Sequence, residues 1–463
     1  MSVFNGKHLT NKTFKLDIER MQQGWYSDQY FANVQQMLTI LAAQSYRYAG
    51  HYGRLTGPEA ADLDVGNMEV EMQIFTRRDG KTLITGIDKA LTMLRYCTGY
   101  LDDQGTFVET YKDLEVMAIQ DGDVVRYPPP NLPGIADPRN ILPVMKIRGR
   151  YRDFAVLETP VLGVLSRGSR IATNVYRTLV AARGKPVLFF PARFDAHEVQ
   201  AADGYAYDIA VQRFNKDYCQ NTPAIVSTNA QGDWWGGKGG GTVPHAVIAC
   251  FLGDTAEAMV SFAAVLPLHV PRIALVDFNN DSIADSLRTL KAMFEHYRAC
   301  IEAGDEEKAK YFILSGVRLD TSASVRDVNV APLGDPKLDT GVNPRLVFTV
   351  RQALDHAWEA WTLPPEWQAR AQAYCQNVQI AVSGGFSPEK IQLFEKLEVP
   401  ADSYGIGSSL MSNDTSKGTN TDFTADVVRV KLQGEWVDMG KVGRRACDNP
   451  KLQLVDWSDW DQD

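Results

Sequence analysis

From about residue 156 the chain alternates short apolar runs with longer stretches of helical period, and this alternation limits the possible folds more than any other feature. The apolar runs lie at 186–190, 224–227, 273–278, 312–319, 378–382 and 403–406. Helical stretches lie at 169–183, 244–265, 282–303, 346–361 and 388–397. Strands joined through helices run parallel, and the simplest closed form is a barrel. Polar, charged and glycine residues collect at the C-terminal strand ends: Arg193, Thr228-Asn229, Asp277, Arg318 with Asp320, Ser383-Gly384-Gly385, and Gly405-Ile406-Gly407-Ser408-Ser409. Barrels carry their sites on that rim.

One stretch stands apart, Gly236-Gly237-Lys238-Gly239-Gly240-Gly241-Thr242-Val243-Pro244-His245. Glycines offer no side chain to bury, so the run predicts a loop whose backbone approaches a ligand. It ends at Pro244, expected as the first residue of a helix over 244–265, which puts His245 where an anion is favoured. The run is not a P-loop, because Lys238 is followed by Gly239 instead of Ser or Thr. Taken alone it is equally a solvated loop with a capping histidine.

The first third reads differently. A helical period over 29–48, an alternating strand over 70–77, a helix over 84–100 and short strands over 106–125 predict an α+β domain, interrupted at Pro128-Pro129-Pro130. A β run at 426–432 is too short to fold alone and is expected to return to that domain's sheet. The tail 456–463 is expected to fray or to lie bound to the surface. The predicted organisation is an α+β domain, 1–155 plus 421–463, and an irregular α/β barrel, 156–420.

Composition narrows the function. A net charge of −9 argues against a generic nucleic-acid surface. No apolar run is long enough to span a bilayer, and the polar start is not a secretory signal, so a cytoplasmic protein is expected. Six cysteines (Cys97, Cys219, Cys250, Cys300, Cys375, Cys447) show no CxxC pair, and most are expected to be small buried hydrophobes.

The strand-end residues suggest a chemistry. The turns Ser383-Gly384-Gly385 and Gly405-Ile406-Gly407-Ser408 present backbone N–H groups suited to a phosphate. Arg318 and Asp320 fall on the same side of an extended segment, a cation for phosphate beside a carboxylate for ribose hydroxyls or Mg²⁺. Asp277 adds a second carboxylate at the same rim. Such a set suits transfer at a ribosyl anomeric carbon with pyrophosphate leaving. A histidine beside a phosphate loop can accept a phosphoryl group and so couple ATP hydrolysis to that transfer.

In order and spacing, several stretches resemble the nicotinate phosphoribosyltransferase family from Asp28 to about Leu454. They are Ser27-Asp28-Gln29-Tyr30, Glu158-Thr159-Pro160, Phe190-Pro191-Ala192-Arg193, Ser227-Thr228-Asn229-Ala230, Gly241-Thr242-Val243-Pro244-His245, Gly316-Val317-Arg318-Leu319-Asp320, Ser383-Gly384-Gly385 and Gly405-Ile406-Gly407. The resemblance implies a type II phosphoribosyltransferase fold, a homodimer with a shared site, and conversion of nicotinate and phosphoribosyl pyrophosphate to nicotinate mononucleotide with Mg²⁺ and ATP. His245 matches the phosphorylated histidine. Phe190 and Tyr30 match rings that sandwich the pyridine, Tyr30 coming from the partner subunit. Arg193 matches the contact to the substrate carboxylate, Arg318 the contact to phosphates and Asp320 the ribose-side carboxylate. Ser383, Gly384, Gly385, Gly405, Gly407 and Ser408 match the 5′-phosphate cradle, with Thr228 among the substrate contacts; metal ligands are unassigned.

The sequence departs from the family at Thr321-Ser322-Ala323, at Phe31 and at Pro191, and Asp233-Trp234-Trp235 has no family role beyond packing over the loop. These departures keep open a relative acting on nicotinamide or another pyridine, or a non-catalytic barrel binding a phosphometabolite.

Overall fold

The computed structural model describes residues 4–55, 60, 62–129 and 139–461. Of the predicted proline break, Pro130 lies outside the described residues. Packing divides the chain into two units, Met1–Asn174 with Tyr205–Arg213 and Ser412–Asp463, and Val175–Gly204 with Phe214–Met411.

The first unit holds a six-stranded sheet in the order Glu435–Asp438, Phe423–Leu432, Glu69–Thr76, Met145–Arg150, Glu115–Ala118, Gln453–Leu454. Every neighbouring pair is antiparallel. The late β run thus returns to this sheet, with Val70 opposite Val430 and Thr76 opposite Phe423. Helix Ile87–Cys97 packs Ile87, Leu91 and Leu94 onto it, within a core that includes Ile74, Ile147, Leu157 and Leu165.

The structure adds two features to this unit. The stretch at 70–77 is a strand as its alternation predicts, and its polar residues Glu71 and Gln73 are buried along with the apolar ones. The Glu71 carboxylate meets Arg148 at 2.7 Å, and Gln73 pairs with the backbone of Arg445 and Cys447, so the late segment covers the polar face. Of the two outcomes expected for the tail, its described residues show the bound one: Trp460 is 1% exposed and donates its indole N–H to Thr92 Oγ1 at 2.8 Å.

The second unit is built on strands β1 (Val187–Phe189), β2 (Ile225–Val226), β3 (Ile273–Leu275), β4 (Gly316–Leu319), β5 (Gln379–Val382) and β6 (Ser403–Ile406). They pair in parallel in the order β3-β4-β5-β6-β1-β2. No pairing between β2 and β3 joins the ends among the described residues, so the sheet is a curled half-barrel. The outer edge of β2 is instead met by the glycine run, with Val226 bridged to Gly239 and Gly240 donating its N–H to Val226 at 2.8 Å.

Helices Ser282–Glu302, Pro344–His356 and Pro388–Lys396 lie where the periodicity predicts them. The stretch expected as one helix from 244 to 265 is two, His245–Cys250 and Thr255–Val265. Gly253, at φ 89°, ends the first, and the Asp254 side chain caps the second by accepting from Glu257 N–H. Pro244 is therefore the cap residue and not the first helical one. Helices Gln200–Tyr218 and Pro365–Gln376 carry no clear apolar stripe, and periodicity misses both. All six cysteines are free, but only Cys97 and Cys375 are buried.

Candidate active site

The C-terminal strand ends of the second unit surround a cleft of ≈ 450 Å³. Its lining includes Phe190, Arg193, Gly240–His245, Arg318, Asp320, Ser383-Gly384-Gly385, Gly405, Gly407 and Ser408. On β4, Val317 and Leu319 are buried, while Arg318 faces the cleft and Asp320 follows two residues on. Asp320 Oδ1 accepts from Ser383 Oγ at 2.7 Å, which joins the β4 and β5 ends. The Arg318 guanidinium donates to the Val243 carbonyl at 3.5 Å, while its Nε is buried without a partner. That leaves most of its donors for an anionic ligand.

His245 begins its helix at the cleft rim. Its Nε2 lies 3.1 Å from both oxygens of Asp277, which follows β3. Asp277 does not line the cleft but backs this histidine, its side chain 7% exposed against 45% for the imidazole. Burial pushes the Asp277 carboxyl up from its ordinary value; His245 opposes that shift, and Asp320 adds to it. A carboxylate in this position holds the proton on Nε2 and leaves the Nδ1 lone pair available.

The glycine turns divide the work. Gly384 and Gly385 have φ of 85° and 71°, a conformation side chains resist. Gly405 and Gly407 make room for rings instead. A Cβ on Gly405 would stand 2.8 Å from the Phe190 ring, and one on Gly407 would stand 2.4 Å from Phe194. Arg193 sits in the short turn Pro191–Phe194, where Pro191 occupies the first position it suits best. Its guanidinium lies 5.7 Å from the Phe194 ring centre and has no carboxylate partner among the described residues.

Thr228, expected among the substrate contacts, does not line the cleft. Thr228 is a helix cap: its Oγ1 accepts from Gln231 N–H and donates to Gln200, while Gln231 returns the bond to Thr228 N–H. Ser227 lines the cleft in its place. Tyr30, expected to act from a partner subunit, lies in the first unit, 60% exposed, with its hydroxyl 3.3 Å from Asp28. Phe31 beside it is buried, which explains an apolar residue at that position. Phe194 escapes sequence reasoning because it carries no motif, and Ser227 is quoted only within Ser227-Thr228-Asn229-Ala230 with no role of its own; the strand-end rule points to the neighbourhood of both.

This half-barrel, with its rim of cations, carboxylates and glycine turns, has the type II phosphoribosyltransferase fold. Residues 54–169 match the family model of the quinolinate phosphoribosyl transferase N-terminal domain. A nicotinate-nucleotide pyrophosphorylase from Pyrococcus furiosus superposes with a TM-score of 0.58 at 23% identity, over 95% of this chain and 85% of that one. Human nicotinic acid phosphoribosyltransferase gives 0.48 at 14% identity, over 87% and 74%. No curated protein matches the chain. Among the described residues no helix is long and apolar enough to cross a membrane.

Proposed function

We propose that the protein transfers a phosphoribosyl group from phosphoribosyl pyrophosphate to nicotinate, and that ATP drives the transfer through His245. The observation that carries this reading is the convergence of Arg318, Asp320, Gly384-Gly385, Phe190, Arg193 and His245 on one cleft. In the transfer, the bond from C1 of the ribose to pyrophosphate oxygen breaks and a bond from C1 to the pyridine nitrogen forms. Arg318 and the Gly384-Gly385 backbone hold phosphate charge, and Asp320 orients the ribose. Phe190 and Phe194 offer ring faces to the base, with Arg193 as the cation for its carboxylate. In the ATP step, Nδ1 of His245 takes the γ-phosphoryl group, ADP leaves, and Asp277 stabilises the charged ring.

Mg²⁺ fits this donor set. Among the described residues no group of three or more His, Cys, Asp or Glu side chains is arranged to hold a metal, so Asp320 would hold the ion together with substrate phosphates. When bound, it neutralises charge developing on the leaving pyrophosphate. The reading includes a homodimer in which the exposed Tyr30 of a second copy supplies the other face of the base sandwich.

Quinolinate is the second reading, favoured by the match over residues 54–169. It carries two carboxylates, whereas the cleft lining holds two arginines, Arg193 and Arg318. With Arg318 engaged on phosphate, one cation remains, which suits a single carboxylate. Pyrophosphate release measured with nicotinate, nicotinamide and quinolinate, each with and without ATP, tests this. ATP-stimulated release with nicotinate is expected; quinolinate turnover with loss of carbon dioxide overturns it. Arg193→Gln should raise KM for nicotinate about tenfold, the loss of one charge-assisted hydrogen bond, and change the response to nicotinamide little.

A further inference from the structure

The Asp233-Trp234-Trp235 segment, without a role in the reaction proposed above, sits where the glycine run begins. The run has two halves. From Gly240 to His245 it lines the cleft; from Gly236 to Gly239 it does not. The first half is locked down. The N–H groups of Trp235, Gly236 and Gly237 all point to the Gly232 carbonyl, at 3.3, 2.8 and 2.9 Å. The Trp235 indole donates to the Gln231 carbonyl at 2.8 Å, and its ring packs against Gly237, where a Cβ would fall 2.3 Å from the nearest ring carbon. Gly239 N–H then reaches Asn229 Oδ1 at 3.0 Å, and Gly240 joins the edge of β2.

Gln231 ties this anchor to the strand end. Its side-chain oxygen accepts from Ser227 N–H, Ser227 Oγ and Thr228 N–H, at 3.0, 3.0 and 3.1 Å. The same residue thus holds the cleft-lining Ser227 through its side chain and Trp235 through its backbone. Past the anchor, four residues, Gly241 to Pro244, lead from Gly240 to His245; Gly241 has nothing within 4 Å of where a Cβ would be, and Val243 is buried. Five of the six residues from 236 to 241 are glycine, and such a stretch does not hold its own shape, since each glycine gives up more conformational freedom than any other residue. Its register depends on where it is pinned.

We infer that Trp235 is a positioning residue for the phosphoribosyl site: its ring clamps Gly237, fixes the register of the glycine run on β2, and so presents Gly241–Val243 and His245 to the bound diphosphate. This rests on the reading of the cleft as a phosphoribosyl pyrophosphate site, and the test separates the two. Trp235→Phe keeps a ring on Gly237 and loses only the N–H donor; Trp235→Ala loses both. Amide hydrogen exchange over 236–245 is measured in all three proteins, with and without inorganic pyrophosphate, beside KM and kcat for phosphoribosyl pyrophosphate.

In Trp235→Ala, exchange over 236–241 is expected to quicken at least tenfold while β4 and β5 keep their protection. KM should rise at least tenfold with a smaller fall in kcat, and Trp235→Phe should recover most of both. Unchanged exchange over 236–241 in Trp235→Ala overturns the clamp. So does faster exchange spread evenly over all six strands, which marks a general packing role, and so does Trp235→Phe behaving like Trp235→Ala. Should the wild-type protein release no pyrophosphate, the functional reading fails, while the exchange comparison still decides the clamp.

Discussion

Replacing Asp277 by Asn changes one charge at nearly constant shape and tests the role of His245. Nε2 of His245 lies 3.1 Å from both carboxylate oxygens, so the ionised group accepts from Nε2–H and selects one tautomer. An amide turned to donate its N–H₂ to Nε2 selects the other, with the proton on Nδ1, the nitrogen proposed to take the phosphoryl group. A hydrogen bond to an ionised partner contributes about 1.5–3 kcal/mol when shielded from water. The imidazole is 45% exposed, so solvent screening puts this pair at the lower end. About 1.4 kcal/mol is a tenfold shift in tautomer population. The expected result is a roughly tenfold smaller ATP stimulation of pyrophosphate release, with ¹⁵N chemical shifts of His245 moving toward the Nδ1–H form. Because Asp277 titrates above the ordinary carboxylate value, the wild-type stimulation should fade on acidification earlier than an exposed aspartate would allow. Asp277→Asn protein with full ATP stimulation and an unchanged His245 tautomer would falsify the assignment.

Two further substitutions probe the cleft wall and the first unit. Gly405→Ala puts a methyl group 2.8 Å from the Phe190 ring, which has the open cleft to swing into. The stability cost should therefore stay near ~1 kcal/mol, at the low end for overpacking, while KM for the pyridine base rises several-fold; thermal melts beside KM check this. Asp121 is buried, accepts from Ile87 N–H at 2.9 Å, and stands 3.3 Å from the Tyr205 hydroxyl. Burial, with Asp88 adding to it, pushes its carboxyl up to about 8. Its folded-state value is thus above the unfolded one, so its contribution to stability is complete below the unfolded value and is lost as pH rises through about 8. Asp121→Asn mimics the protonated acid, and its Tm should fall less between pH 6 and 9 than that of the wild type.

Much of the architecture was legible because its signals are local. Runs of four to eight residues bounded by turn residues mark β1, β4, β5 and β6, although the run at 312–319 is strand only from Gly316. Caps such as Ser387 before Pro388 mark helix starts in the same way. Arg318 and Asp320 could be set on one side of their strand from spacing alone, and the cleft contains both. Helix Gln200–Tyr218 was illegible for the converse reason. Tyr205, Tyr207, Ile209 and Phe214 are buried all round it, and a helix covered on several sides has no single apolar stripe to read.

By itself, then, the sequence determined most of the strands and the helices with a clear apolar stripe, and which strand ends carry charge and glycine. Tertiary structure decided the partners: that Asp277 meets His245, 32 positions away, that Thr228 is used up as a cap, and that Trp460 reaches across 368 residues to Thr92. Period and turn chemistry are properties of a few consecutive residues. A hydrogen bond between distant side chains exists only once the whole chain has closed around it, and no stretch of either partner's own neighbourhood records it.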